Sequence, residues 1–361
     1  MTTTEYLTEA DVEKLGLELD RIREEVIASR GEDDARYIHR VIAAQRSLEL
    51  SGRVLLFASI VPPAWLAGTA ALATAKILEN MEIGHNVLHG QWDWMRDPQI
   101  HSTTWDWDAS SPTAMWKHSH NVVHHTYTNV LGKDRDIGYS MLRVSPEQPW
   151  HPVYLFQPLY NAALALAFEW GIAIYDVELE RVVRGEKSWR VALPQLSAVL
   201  RKGFRQLFKD YVAFPLLAGP ALLPVLAGNL TANVTRNLWS HTVIFCGHFP
   251  DGAEVFTEDQ LDGETRGQWY LRQMLGSANI SGGPLLHLMT GNLSHQIEHH
   301  LFPDLPSNRY AQIAPRVREL CERYGLRYNT GSLLRQTASV WNRVLRLALP
   351  GPKAPPAATQ A

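Results

Sequence analysis

Fifteen histidines occur in the 361 residues, and eight of them crowd into three short stretches. These read "HNVLH" at His85–His89, "HNVVHHTYTN" at His120–Asn129 and "HQIEHH" at His295–His300. Imidazole is a middling helix former, so helix propensity does not explain the crowding. Its chemistry does: neutral imidazole nitrogens ligate zinc, copper and iron. His85 and His89 are four apart, so on a helix they lie one turn above the other and aim at one ion. His120, His124 and His125 add an adjacent position, which lets one turn serve two ions, and His295, His299 and His300 repeat that spacing. At this histidine frequency such a three-residue pattern arises by chance roughly 0.03 times, and it occurs twice.

Eight or nine imidazoles exceed the four ligands of a structural zinc, so two ions with four or five nitrogens each fit the count. No HExxH motif supports zinc hydrolysis. The carboxylate-rich di-iron design needs paired Glu-x-x-His motifs, and only Glu82-Ile-Gly-His85 fits. A histidine-rich di-iron centre remains. Within "NLWSHTVIFCGH", Asn237, His241 and His248 differ by four and seven residues and share one helical stripe. Polar groups in an otherwise apolar span are functional candidates. His248 and His241 are therefore further candidate ligands, and Asn237 a candidate to hold a metal-bound water. Asp93, Asp134, Asp136 and Glu298 stand near the clusters and are candidates to orient imidazoles from an outer layer.

Two stretches are apolar enough to hold such a site at a membrane. Val54–Ala75 has no charged residue in 22 positions, and Tyr211–Thr235 has none in 25. Pro62-Pro63 in the first and the prolines and glycines of the second read as turns, giving two helical hairpins, 46–85 and 207–248, with bends at Pro62-Pro63 and near Pro220–Gly228. Making Tyr154–Tyr175 a span instead would bury Glu169. It would also put the basic connector Asp176–Asp210 on the far side from the histidines, against the positive-inside bias. Residues 150–206 are therefore expected at the interface. The expected fold is all-α and integral to the cell membrane, with four spans and the histidine boxes (85–125 and 295–300) on the cytoplasmic side.

Residues 1–45 are expected to form cytosolic amphipathic helices, opened by a Thr8–Asp11 capping box, and 46–326 to form the membrane domain. Residues 327–361 read as a helix followed by a disordered Pro/Ala-rich tail. A net charge of −3 argues against nucleic-acid binding. Two cysteines build no disulfide framework or iron–sulfur cluster. The acidic start, with no short apolar run after it, is unlike a cleavable secretory signal.

The boxes "HNVLHGQWDW", "HNVVHHTYTN" and "GNLSHQIEHHLFPDLPSNRY", with "GKDRDIGY" between, resemble those of the membrane fatty acid desaturases. The likeness runs from about Ser51 to Leu326 and is nearest to the actinobacterial acyl-CoA and linoleoyl-CoA desaturase-like branch. It implies a four-span helical cone capped by a cytosolic helical domain that holds two irons. His85 and His89 map to the first box. His120, His124 and His125 map to the second, here with three intervening residues rather than two. His299 and His300 map to the third, whose leading position falls on Gln296 or His295. The family's extra histidine falls on His248, with His241 as the other choice.

The implied activity is oxygen-dependent removal of two hydrogens from an acyl chain, CoA- or lipid-linked. Side-chain acid–base chemistry cannot break an unactivated C–H bond, which is why the metals are needed. Trp92, Trp94, Trp105 and Trp107 are expected around the acyl tunnel or as interfacial anchors. Arg96, Lys117, Lys133, Arg135 and Arg143 are expected near a CoA headgroup or anionic lipid. The chain has no haem-binding His-Pro-Gly-Gly, cysteine cluster or Gly-x-Gly-x-x-Gly loop, so a separate ferredoxin- or flavin-reductase-like electron donor is expected. Two rivals remain at this stage: a hydroxylase, distinguished by a product that gains oxygen, and a membrane metal carrier. Chain length, double-bond position and oligomeric state are left open.

Overall fold

The computed structural model describes residues 6–351, whose regular elements are helices apart from one pair of three-residue strands. The expected Pro/Ala-rich tail beyond Gly351 lies outside the described residues. The helices that position the histidines and their surroundings are, in chain order, α1 (Glu9–Ser29), α2 (Glu32–Phe57), α3 (Pro62–Leu78), α4 (Gln157–Leu166), α5 (Phe168–Tyr175), α6 (Trp189–Phe208), α7 (Leu222–His248), α8 (Arg266–Leu275), α9 (Gln296–Leu301), α10 (Tyr310–Arg323) and α11 (Leu333–Ala348). Strands β1 (Asn279–Ser281) and β2 (Thr330–Ser332) pair in parallel.

The first hairpin forms from α2 and α3, but its bend differs from expectation. Residues 58–61 make the turn, and Pro62 and Pro63 open α3. A proline at the start of a helix lacks an N–H that would be unpaired there anyway, and its fixed φ is already helical. The two arms approach closely: a Cβ on Gly52 would meet Leu72 N at 2.9 Å and Gly68 O at 3.0 Å. In the second hairpin, α6 continues through a π-turn (Lys209–Ala213) and Phe214–Leu217, turns at Gly219–Ala221, and returns as α7. Pro224 falls in the first turn of α7, where no N–H is missed.

No helix among the described residues is long and apolar enough to cross a membrane. Arg53 reaches Asp210 at 2.7 Å and Asn229 at 2.9 Å, and Lys76 reaches Asp210 at 2.8 Å, so both hairpins carry buried charge that ties them together. Buried ions persist only when paired in this way.

Above the hairpins, α1, α8, α9 and α10 share one core of Leu15, Leu19, Ile22, Tyr270, Phe302 and Ile313. The predicted capping box opens α1, with Asp11 N donating to Thr8 Oγ1 at 3.2 Å and Thr8 N to Asp11 Oδ2 at 3.0 Å. α1 crosses α8 so closely that a Cβ on Gly267 would lie 2.3 Å from the Val12 carbonyl oxygen. Overpacking of this kind costs about 1–3 kcal/mol. Gly267→Ala should therefore lower the thermal unfolding midpoint and free α1 for early proteolysis; an unchanged midpoint would rule out this crossing.

Candidate metal centre

The first two boxes sit on π-helical turns, Glu79–His85 and Lys117–His124, rather than on plain α-helix. A π-turn widens the ring of residues and is frequent at functional sites. Here His125 N bonds to His120 O, so the second box gathers its three imidazoles around one wide turn. The third box is carried by α9, which is buried throughout between the α1–α8–α10 core and the hairpins.

These turns bring the predicted imidazoles together in two groups. His85, His89, His120 and His299 form one, and His124, His248 and His300 the other, each with its ligand atoms within 4.8 Å of one another. His120, His124 and Asp136 form a third set of the same tightness that links the two. His125 lies between them, stacked on His300 at 4.5 Å and 4.7 Å from His89.

An outer layer sets which nitrogen faces inward. His85 Nδ1 donates to Asn86 Oδ1 at 3.0 Å, His124 Nδ1 to Asp134 Oδ2 at 2.9 Å, His299 Nδ1 to the Tyr310 hydroxyl at 3.2 Å and His300 Nδ1 to Gln273 Oε1 at 3.1 Å. Asp136 lies 3.5 Å from His120 Nδ1 and accepts from the Tyr175 hydroxyl at 2.7 Å. With Nδ1–H committed outward, each of these rings presents the Nε2 lone pair. The Nε2 atoms of His89, His124, His125, His299 and His300 are buried and have no hydrogen-bond partner.

Burial, reinforced by neighbouring imidazoles, pushes the pKa of His89, His125, His299 and His300 well below the ordinary value, so these rings are neutral. Burial opposes charge at His124 too, but Asp134 and Asp136 hold its pKa above the ordinary value. Neutral, inward-facing, unpaired nitrogens backed by carboxylates are what metal cations bind. The residues present fit a metal pair.

Several expected positions lie elsewhere. His241 Nε2 is hydrogen-bonded to Asn161 Oδ1 at 3.0 Å and its ring stacks on Phe245, so it is a satisfied core histidine outside the cluster. His295 faces away and stacks on His287, whereas the Gln296 side-chain amide touches His248 Nε2 at 3.1 Å. Asn237 Nδ2 donates to Leu166 O and its Oδ1 accepts from Arg236 Nε and Glu169 N, so its amide is tied to α4, α5 and its own helix. Asp93 caps Ser102, and Glu298 is buried against Asn279 and Tyr328 rather than against a cluster imidazole.

A cavity opens from the cluster, with His85, His120 and His248 at one end. Of the four tryptophans expected around a tunnel, Trp107 lines it. Trp92 is core, stacked on Tyr37, while Trp94 and Trp105 lie outside the lining. None of the expected headgroup cations lines it either. Arg135 pairs with Glu178 and Glu180, Lys133 with Glu258, Lys117 with Ser102 O and Arg143 with backbone carbonyls, while Arg96 is exposed at the end of a turn. Apart from Arg96, these side chains are already engaged, which explains their placement.

Sequence reasoning passed over Trp116, whose ring stacks on His120 at 4.6 Å and walls the cavity; its i, i+4 spacing to His120 was a usable signal. It also passed over Tyr175, Gln273 and Tyr310, which are remote in sequence from the rings they steer.

Comparison with known proteins agrees with this geometry. The fatty acid desaturase family profile matches residues 61–332. A Mycobacterium tuberculosis protein named NADPH-dependent stearoyl-CoA 9-desaturase is 55% identical over 349 residues, covering 96% of this chain and 82% of that one. A Synechocystis protein named sn-1 linoleoyl-lipid 6-desaturase is 30% identical over 285 residues, covering 76% of this chain and 77% of that one. The imidazole cluster, its cavity and these likenesses lead to one assignment: the chain belongs to the fatty acid desaturase family and is an acyl-chain oxidoreductase.

Proposed function

We propose that the protein introduces a double bond into a long saturated acyl thioester, with two irons held by the histidine cluster and dioxygen as oxidant. The observation that carries this reading is a cluster of buried imidazoles, five of them with unpaired Nε2 atoms, that meets a largely apolar cavity through His85, His120 and His248. His85, His89, His120 and His299 would hold one ion, and His124, His248 and His300 the other, with His125 between. When bound, iron with dioxygen supplies the oxidising power to break two unactivated C–H bonds. The balance requires two electrons and two protons from outside, so that dioxygen leaves as two waters. The chain's own residues orient the rings, exclude bulk water and hold the alkyl chain extended. A stearoyl thioester is the substrate favoured by the mycobacterial relative's name.

A membrane setting is part of this proposal: the α2–α3 hairpin and the hairpin of residues 207–248 enter the bilayer, and the box face looks to the cytoplasm. It is supported by the large apolar side chains left exposed on those arms, among them Leu50, Val54, Leu66, Leu217 and Leu223. Contiguous exposed apolar surface of this kind marks contact with lipid or protein. The buried charges within the arms are paired to one another, as polar groups at membrane depth must be. The protein should stay with the membrane fraction after alkaline washing, and release into the supernatant would refute the placement.

Expression in a host of simple lipid composition, with acyl products mapped by mass spectrometry, should give products two hydrogens lighter than the substrate. A gain of one oxygen would mean a hydroxylase. His124→Ala should abolish the product and reduce bound iron. Asp134→Asn, which keeps the ring but loses the charge behind it, should cost about 10–100-fold in activity or metal affinity. Unchanged products from His124→Ala would remove that ring from the metal site.

Electrons must come from a separate protein on this reading. Purified protein with NADPH alone should be inactive, and a ferredoxin- or flavin-reductase-like fraction should restore turnover. Activity with NADPH alone would show an internal electron route instead.

A further inference from the structure

The cavity wall on α7 is a single stripe. His248, Ile244, Ser240, Asn237 and Arg236 line it at successive turns of one uninterrupted helix. α5 lines the opposite side in the same sense: Tyr175, bonded to Asp136, stands at the metal end, and Glu169 at the far end. There Arg236 and Glu169 form an ion pair in which both side chains are almost fully buried, at 3% and 6% exposure. Arg236 Nε also bonds Asn237 Oδ1 at 3.1 Å, and Glu169 Oε1 accepts from Ser110 N at 2.9 Å. The cavity thus runs from imidazoles, past Met81, Phe168 and Ile244, to a fixed pair of charges.

We propose that the Arg236–Glu169 ion pair is the end stop of the acyl cavity and sets the longest chain the enzyme accepts. This rests on the acyl-desaturase reading above. At a helical rise of about 1.5 Å per residue, Ser240 lies about 12 Å along α7 from His248, and Arg236 about 18 Å. An extended chain advances about 1.2 Å per bond, a third of the span of an extended residue. The nine carbons beyond a stearoyl 9-position therefore reach about 11 Å, to the level of Ser240, one turn short of the charges.

A longer tail meets groups it cannot displace. Inserting a methyl end between Arg236 and Glu169 would separate two buried ions with no water to replace the contact. The pair also has partners of its own, so it is held in place rather than free to swing aside. An apolar end wall of the same length would yield by side-chain rotation; a locked ion pair does not.

The test is competition among saturated acyl thioesters of graded length, using full-length protein in membranes with its electron donor. In E169A/R236L, both charges go together, which avoids stranding one of them. The gap of about 6 Å beyond Ser240 holds about four to five more carbons. The ratio of product six carbons longer than stearoyl to stearoyl product should therefore rise about tenfold, the usual worth of one or two methylenes in an apolar pocket. S240F fills the cavity one turn nearer the metals and should lower stearoyl product about tenfold against chains two to four carbons shorter. Bound iron should match the unsubstituted protein in both.

An unchanged length profile in E169A/R236L that still makes product overturns the end stop. If that variant does not accumulate, S240F decides alone, and an unshifted profile there overturns it as well. Absence of any unsaturated product from the unsubstituted protein would instead overturn the desaturase reading.

Discussion

Everything in this fold answers to a set of nitrogen lone pairs that point at one another and find no proton. A buried acceptor without a partner costs about 1–3 kcal/mol, and the cluster holds several. Against a total stability of about 5–15 kcal/mol for a typical domain, that is a large debt to leave unmet. Burial keeps His89, His125, His299 and His300 neutral, so they cannot relieve it by taking up protons. Cations relieve it, and metal binding in this protein is therefore part of its folding free energy.

Holding the lone pairs inward takes a second layer, and that layer is drawn from the whole chain. Tyr310 and Gln273 steer the third box from α10 and α8, and Asp134 steers the second. Glu82, one turn before His85, accepts from Tyr37, Ser307 and Asn292 at 2.9, 2.6 and 2.9 Å, tying the first box to α2 and to both sides of the third. Asp34 and Arg309 clamp the same region, with Arg309 Nε donating to Asp34 Oδ1 at 2.6 Å. Long-range hydrogen bonds of this kind explain why the site's supports are scattered through the chain while its ligands come in three short runs.

That division marks what could be read from sequence. The histidine runs, the capping box of α1 and the first hairpin are local signals, since spacing alone encodes which residues share a helical face. The π-turns are not, because a widened turn has the same residue types as an ordinary one. His295 and Gln296 differ by one residue, about 100° of helix rotation, and Gln296 is the one whose side chain touches His248. His241 carried the right spacing to His248 for a shared stripe, yet its Nε2–H donates to Asn161 Oδ1, eighty residues away. Arg135 is engaged in the same way: its carboxylate partners, Glu178 and Glu180, lie outside any window a motif spans.

One rigid element then joins the chemistry to its substrate. α7 carries His248 at one end, walls the cavity for several turns and presents Arg236 at the other. Because successive turns of a helix are spaced by backbone hydrogen bonds and not by side-chain packing, the distance between the metal end and the charged end cannot drift with the contents of the cavity. The same helix meets α2–α3 through the Arg53–Asn229 bond, so the hairpins fix its position as well as its length. Position of oxidation and length of tail are consequently read on one scale. Changing the selectivity of such a site means changing residues along that stripe, while the imidazoles at its end stay where the second layer holds them.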